Sequence, residues 1–335
     1  MTTYKGINGF AVQSVATDPS PLDEGQVWYN NATYAFKLAS VTTAGTWASG
    51  GNINTARSSG GGSGTQTASL IFGGEAPGSN SNVTESYNGT SWTTVPATMN
   101  TSRRQLGGVG TQTAALGFGG DTSQGSTGQT ASSESYNGTS WTNTPNMNTA
   151  RQGVAPAQNG TQTAALGFGG ALPPGGNSTS SASESWNGSS WTSTPSLNTS
   201  RRYMLGAGTN TAAIGAGGNT PPDAAVATVE LWNGSSWTTG TSMSNVRTQG
   251  TGFGTQTSAI ACAAFPSPVR ALTEFWNGTS WTAQGTLNTA RYEAAGGAGT
   301  SSDGIIAGGN SGTYSTATEE FTGPGAPVTK TITTS

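Results

Sequence analysis

Glu134-Ser135-Tyr136-Asn137-Gly138-Thr139-Ser140-Trp141, followed by Asn148-Thr149-Ala150-Arg151, is a phrase that returns along the whole chain. Its general form is Glu-x-aromatic-Asn-Gly-Thr/Ser-Ser-Trp, with Asn-Thr-x-Arg close behind. Intact copies of the first part run from Glu85 to Trp92, Glu184 to Trp191, Glu230 to Trp237 and Glu274 to Trp281. A further copy is cut in two. Glu319 and Phe321 carry its first half near the C-terminus, and Trp47 with Asn54-Thr55-Ala56-Arg57 carries its second half near the N-terminus. A repeat unit divided between the two ends of a chain predicts a closed array, with the last unit completed by the first segment.

The Trp residues of the phrase stand at 47, 92, 141, 191, 237 and 281, at intervals between 44 and 50 residues. That period suits a four-stranded propeller blade and not a helical repeat of about 33–34 residues. Within a unit the strands are readable. Arg103 to Gly110 is rich in Gly and suits an innermost strand, where neighbours leave little room. Thr113 to Phe118 predicts the next strand, with Ala114, Leu116 and Phe118 on one face by period two. Gly119-Gly120 ends it with unusual backbone freedom. Asn137-Gly138 then signals a hairpin, because both residues tolerate positive φ. The expected fold class is all-β: a six-bladed propeller over residues 41–323, closed by an N-terminal outer strand. An arm over 1–40 and a tail over 324–335 flank it.

Composition narrows the function. Only 8% of the 335 residues are charged, and the net charge is −3. Without a basic stripe to neutralise phosphates, nucleic acid is not an expected partner. No run of about 18 apolar residues is present, so no membrane insertion is expected. The opening Met1-Thr2-Thr3-Tyr4-Lys5-Gly6-Ile7 lacks the apolar stretch of a secretory signal. The 52 Gly, with abundant Ser and Thr, resemble a disordered composition. Ten Trp at regular positions argue instead for a core, since each can bury about 150–250 Å². The lone Cys262 reads as a small core residue. The absence of His removes His-dependent triads and His-ligated zinc or copper. No cofactor and no enzymatic activity are expected.

Gly-Gly, an aromatic, Trp about five residues later and then Arg together resemble the kelch repeat of β-propellers, over about residues 45–323. The Gly-Gly pair stands at 73–74, 119–120, 169–170, 217–218 and 308–309, and Ala263-Ala264 replaces it in the fifth unit. The resemblance implies six blades and closure by the N-terminal strand. The copper chemistry of the galactose oxidase class does not carry over, for want of His. Sialidase-like propellers need an Arg cluster, a Tyr nucleophile and acids, whereas each Arg and Tyr here fills a repeat slot. In narrower phrases, Asn-Thr-Ala-Arg, Gly-Thr-Gln-Thr-Ala-Ala-Leu-Gly-Phe-Gly-Gly and Tyr-Asn-Gly-Thr-Ser-Trp, the chain is similar to kelch-like virion proteins of marine tailed phages. Asp18-Pro19-Ser20 and Glu24-Gly25-Gln26-Val27-Trp28-Tyr29-Asn30 are similar to short modules on phage structural proteins. That likeness implies a virion component, in a tail fibre, tail appendage or capsid decoration, assembled in the host cytoplasm and released by lysis. It also implies multiple copies per particle and host-surface polysaccharide as a target. A free carbohydrate-binding or adhesin module is the alternative.

The repeated Glu85, Glu134, Glu184, Glu230, Glu274 and Glu319 and the Arg of each unit could form identical ligand sites. The better reading is structural: charge kept in one slot of every repeat ties strand ends together through the Arg fork. Asn-Gly-Thr/Ser also matches a glycosylation sequon, but the hairpin explains it. Length varies mainly between the Gly-Gly slot and the Glu slot. Those loops share one face and form the candidate binding surface, with Pro77, Asn80, Gln124, Gln129, Pro173, Asn177, Pro221, Asp223, Pro266 and Arg270 on it. In the arm, Tyr4, Phe10, Trp28, Tyr29, Tyr34 and Phe36 are expected to dock onto other virion proteins, because so short a segment builds no core of its own. Packing of its hairpin on the propeller itself is the competing arrangement.

Overall fold

The structure is a computed structural model that describes residues 12–21, 25–41, 44–125, 127–174, 178–265, 269–325 and 327–332. It is all-β, with no helix among the described residues. Two compact units are present: residues 46–322, and residues 1–45 together with 323–335.

The larger unit is built from six four-stranded antiparallel sheets. Sheet I comprises Gly61–Gly64, Ser69–Phe72, Thr84–Tyr87 and Trp92–Val95. Sheet II comprises Gly107–Gly110, Ala115–Phe118, Ser133–Tyr136 and Trp141–Thr144. Sheet III comprises Ala155–Pro156, Ala165–Phe168, Ser183–Trp186 and Trp191–Thr194. Sheet IV comprises Leu205–Gly208, Ala213–Ala216, Val229–Trp232 and Trp237–Gly240. Sheet V comprises Thr251–Thr255, Ser258–Ala264, Arg270–Trp276 and Trp281–Ala283. Sheet VI takes Gly296–Gly299, Asp303–Ala307 and Thr318–Thr322 from one end of the chain and Thr46–Gly50 from the other. Trp47 pairs with Phe321 and Ser49 with Glu319, so the divided repeat is rejoined in register.

Each Asn-Gly hairpin places its two aromatic residues directly opposite each other, as in Tyr136↔Trp141 and Trp186↔Trp191. The Trp then reaches the preceding sheet. Trp141 Nε1 donates to Thr84 Oγ1 (2.9 Å), Trp92 to Thr318 (2.9 Å) and Trp47 to Thr273 (2.9 Å). Sheet IV has Val229 in that slot, and Trp281 turns to the Thr241 carbonyl instead. Buried apolar clusters fill the spaces between consecutive sheets. One of them joins Ile71, Tyr87 and Trp92 of sheet I to Ala298, Ile305 and Ala307 of sheet VI. The first strands also neighbour one another in sequence, and that of sheet VI lies against that of sheet I. Their approach requires Gly: a Cβ on Gly62 would stand 2.6 Å from the Gly297 nitrogen, and one on Gly108 2.7 Å from the Gly62 nitrogen.

The repeated charges are buried pairs. Arg57 lies 2.9 Å from Glu85, Arg103 3.3 Å from Glu134, Arg151 2.7 Å from Glu184, Arg201 2.8 Å from Glu230 and Arg247 3.5 Å from Glu274. Arg291 pairs with Glu319 in the same way. In sheet III the Arg151 fork also donates to the carbonyls of Gly169 and Ala182 (both 2.7 Å). Glu184 in turn accepts the backbone N–H of Asn148 (2.6 Å), which lies on the connection from sheet II. Burial pulls the Arg151 guanidinium pKa down and that of Arg103 to about 10, against the raising effect of the paired carboxylates. Sheet V is the exception. There Ala263 takes the left-handed φ of +57° that Gly adopts in the other units, and the strand is irregular between Cys262 and Ala264. Cys262 is fully buried, and burial pushes its thiol up to about 12.

The smaller unit is a separate four-stranded sheet. Gln13–Val15 runs parallel to Val27–Asn30, which pairs antiparallel with Ala35–Val41. Within the stretch read as a C-terminal tail, Pro327–Thr331 pairs with Ala35–Val41, Leu38 opposite Lys330. Trp28, expected to dock outward, is instead fully buried, and its Nε1 donates to Asp18 (2.9 Å). With three other strands to cover it, its indole finds both an apolar seat and an acceptor within the unit. Tyr4 and Phe10 lie outside the described residues.

Removing one partner of a buried pair leaves an uncompensated charge. R151A is therefore expected to lower unfolding free energy by about 3–5 kcal/mol in urea titration. The R151M/E184L double variant should lose less than the sum of the single changes. A263G should raise stability by up to about 1 kcal/mol in the same assay, since it relieves a left-handed Ala.

Candidate functional site

Two residues after each buried Arg stands a residue with positive φ: Ser59 (57°), Gln105 (54°), Gly153 (59°), Tyr203 (55°), Gln249 (55°) and Glu293 (47°). Their backbones form a circle of hydrogen bonds. Gln105 N–H donates to Ser59 O (2.6 Å), Gly153 to Gln105 (2.8 Å), Tyr203 to Gly153 (3.1 Å), Gln249 to Tyr203 (3.1 Å), Glu293 to Gln249 (2.7 Å) and Ser59 to Glu293 (2.8 Å). Left-handed conformation in non-Gly residues costs about 1–2 kcal/mol each. Such strain persists where surrounding structure enforces it, and it gathers at ligand sites. Here the circle of amides enforces it.

The circle surrounds a cavity of about 120 Å³ lined by these six residues and by Gly61, Gly62, Gly108, Gly206, Gly252 and Gly297 among others. Gln158, in the turn that follows the short first strand of sheet III, reaches across to donate to the Gly62 carbonyl (2.8 Å). It lines both this cavity and a second one beyond, so it stands between the two. The polar groups around Glu293 converge. Gln249 Nε2 donates to Glu293 Oε1 (2.6 Å), and Gln105 Nε2 donates to the same oxygen (3.2 Å). Tyr203 Oη donates to Gln105 Oε1 (3.3 Å) and accepts from Gln152 Nε2 (3.1 Å).

Glu293 is partly open to the cavity by area but lies deep among protein atoms. Burial raises its carboxyl above the ordinary range; hydrogen bonds from Ser59, Gln105 and Gln249 oppose that shift, and nearby Glu75 adds to it. It differs from the six repeat Glu in having no Arg or Lys nitrogen within ion-pair distance among the described residues. The neighbouring cations are already engaged: Arg104 with Glu75 (2.7 Å) and Asp121 (3.6 Å), Arg202 with Asp223 (2.8 Å). The cavity lining therefore holds one carboxyl group among amides, hydroxyls and a phenol, with Glu75 and Arg104 acting on it from outside. No group of three or more metal-ligating side chains occurs among the described residues.

The loops singled out from sequence begin at the rim of this cavity. The residue before each axial position bridges to the residue after the Gly-Gly slot: Ser58↔Glu75, Arg104↔Asp121, Gln152↔Ala171, Arg202↔Asn219, Thr248↔Phe265 and Tyr292↔Asn310. Pro77, Gln124, Pro173, Pro221 and Asp223 are exposed, whereas Asn80, Gln129 and Arg270 are half-buried. Several are tied to neighbours. Asn80 Nδ2 donates to the carbonyls of Asp121 (3.0 Å) and Ser123 (3.4 Å), and Gln129 Nε2 donates to Gln152 Oε1 (3.3 Å). The Gln124 carbonyl accepts from Arg104 (2.8 Å). Arg270 lies in sheet V opposite Ala264. None of these described loop residues lines the axial cavity. Asn177 and Pro266 lie outside the described residues. The axial residues escaped the sequence reading. The available signal was positional: two places after Arg the otherwise regular repeat carries Ser, Gln, Gly, Tyr, Gln and Glu in turn.

Comparison with known protein families and with characterised proteins finds no match to this chain.

A buried acid whose pKa is raised by folding binds its proton more tightly in the folded state. Stability should therefore fall as pH rises from the ordinary carboxylate range until Glu293 ionises in the fold, and then level off. Glu75, Arg104, Tyr203, Tyr292 and Tyr314 are the titratable groups that interact with it. E293Q is expected to melt higher than wild type at neutral pH and to lose that slope, as read by the difference in thermal melting between the two across pH 4–8.

Proposed function

We propose that residues 46–322 form a six-bladed kelch-like β-propeller, and that the protein is a non-enzymatic phage virion component. In this reading it presents one face of the propeller to host-surface glycan as part of a tail fibre, tail appendage or capsid decoration. The observation that carries the reading is that the variable connections all leave from beside the circle of positive-φ residues, while the repeated charges are consumed internally. Six sheets, the apolar cluster between sheets VI and I, and the rejoined outer strand support the propeller. The phrase-level resemblance to kelch-like virion proteins supports the setting. Low charge with Ser-, Thr- and Gly-rich loops suits weak contacts made strong by many copies.

Attachment to other virion proteins falls to the smaller unit. Among the described residues, most large apolar side chains left exposed belong to it: Val12, Val27, Tyr34, Phe36 and Ile332. Tyr29 packs on Phe36 at 5.1 Å and, with it, occupies paired positions on one face of the sheet. An apolar face of this kind on a small sheet suits docking to a partner chain.

Mass spectrometry of purified virus particles, with copy number, tests the assignment. The chain is expected in the particles in multiple copies, with a few to a few tens pointing to the tail and hundreds to capsid decoration. Recovery only as free protein in the lysate would overturn the virion assignment in favour of a free carbohydrate-binding module.

A further inference from the structure

We propose that the axial cavity binds the protonated end of a primary amine, with Glu293 as its counter-ion. This stands apart from the virion assignment, because it rests on the axial geometry alone. All six repeat Glu are compensated by an Arg partner, whereas Glu293 is held by amide and hydroxyl donors, and Arg104, the cation that acts on it, is shared with Glu75 and Asp121. A buried carboxylate without a counter-charge is costly to keep. Its charge is complemented when a cation enters.

The surroundings select the kind of cation. A hard metal ion such as calcium takes about 6–8 oxygen ligands. Here the six carbonyls of the axial circle are already accepting hydrogen bonds, and the site offers a single carboxylate. An ammonium group needs only a few acceptors and one negative charge. Glu293 supplies the carboxylate, and Ser59 and Tyr203 line the same cavity as hydroxyl acceptors; the Tyr203 ring already carries Arg202 over it, 5.3 Å from the centroid, so the phenol oxygen and not the ring is the group on offer. The Gly-lined wall borders a cavity of about 120 Å³, room enough for an aminoalkyl end. Gly153 adds no side chain to the circle. A Cβ there would stand 2.4 Å from the Tyr203 ring, so the smallest residue keeps that ring in place.

Such an ammonium could come from a polyamine or from an amino sugar with a free amine, and titration calorimetry of the full chain at neutral pH separates them. The probes are methylammonium, putrescine, glucosamine and N-acetylglucosamine, with tetramethylammonium and calcium chloride as controls. Saturable binding of methylammonium is expected, with N-acetylglucosamine and tetramethylammonium silent; whichever of putrescine and glucosamine binds more tightly names the source. E293Q should weaken methylammonium binding at least about tenfold, the equivalent of losing about 1.4 kcal/mol, while circular dichroism shows the fold retained. Three outcomes overturn the proposal: no saturable binding of any primary amine, equal affinity in E293Q, or calcium binding that displaces the amine. The tetramethylammonium comparison decides the matter on wild-type protein if E293Q does not fold.

Discussion

A buried Arg–Glu pair in each sheet is the interaction on which the rest depends. In the pair of Arg151 and Glu184 both side chains are almost wholly removed from water. Burying two charges costs several kcal/mol per ion unless their remaining hydrogen-bonding capacity is met. The fork of Arg151 meets most of it by taking the Gly169 and Ala182 carbonyls, at the end of the second strand and the start of the third, with only its Nε left over. The carboxylate meets its own by taking the Asn148 amide from the incoming connection. One pair thus fixes three pieces of chain at once. Arg201 with Glu230 and Arg291 with Glu319 repeat the whole arrangement, so the connections entering sheets IV and VI are held in the same way.

That arrangement determines what happens two residues further on. With Arg held, the chain must turn sharply into the first strand, and it does so through a left-handed residue. The amide and carbonyl of this residue are taken by its counterparts in the neighbouring sheets. The backbone of the circle is therefore dictated by the repeat, and its side chains are not. Ser59, Gln105, Tyr203, Gln249 and Glu293 project from an invariant frame into a shared cavity. A rigid frame with unrepeated side chains is where specificity can be built without disturbing the packing between sheets.

Much of this was legible in the sequence, for reasons that lie in repetition. Trp47 and Phe321 could be paired at long range because each is half of a phrase that is whole elsewhere. The partnership of Arg and Glu followed from charge kept in one slot of a weakly charged chain. The close approach at Gly62 and Gly108 followed from a strand with no room for side chains. What stayed hidden lacked a repeat to announce it. The pairing of Lys37 with Thr331 joins opposite ends of the chain through sequences that occur once. Trp28 read as a docking residue because its acceptor, Asp18, lies in a turn that looks like loop. Gln112 was visible in a repeated phrase, but its role was not: its amide reaches back to the Ser69 and Tyr87 carbonyls of the preceding sheet (3.3 and 2.5 Å). The axial residues were hidden because variety within a slot looks like tolerance until the geometry shows that the slot faces a common space.

Closure of the axial circle is most directly tested by hydrogen exchange of its amides. The decisive bond runs from Ser59 N–H to the Glu293 carbonyl, since it joins the first sheet to the last. If the circle is closed, the Ser59 amide exchanges as slowly as those of Gln105, Tyr203 and Gln249, and all open only with global unfolding. Fast exchange at Ser59 and Glu293, with slow exchange at the other positions, would contradict closure and leave an open array of sheets.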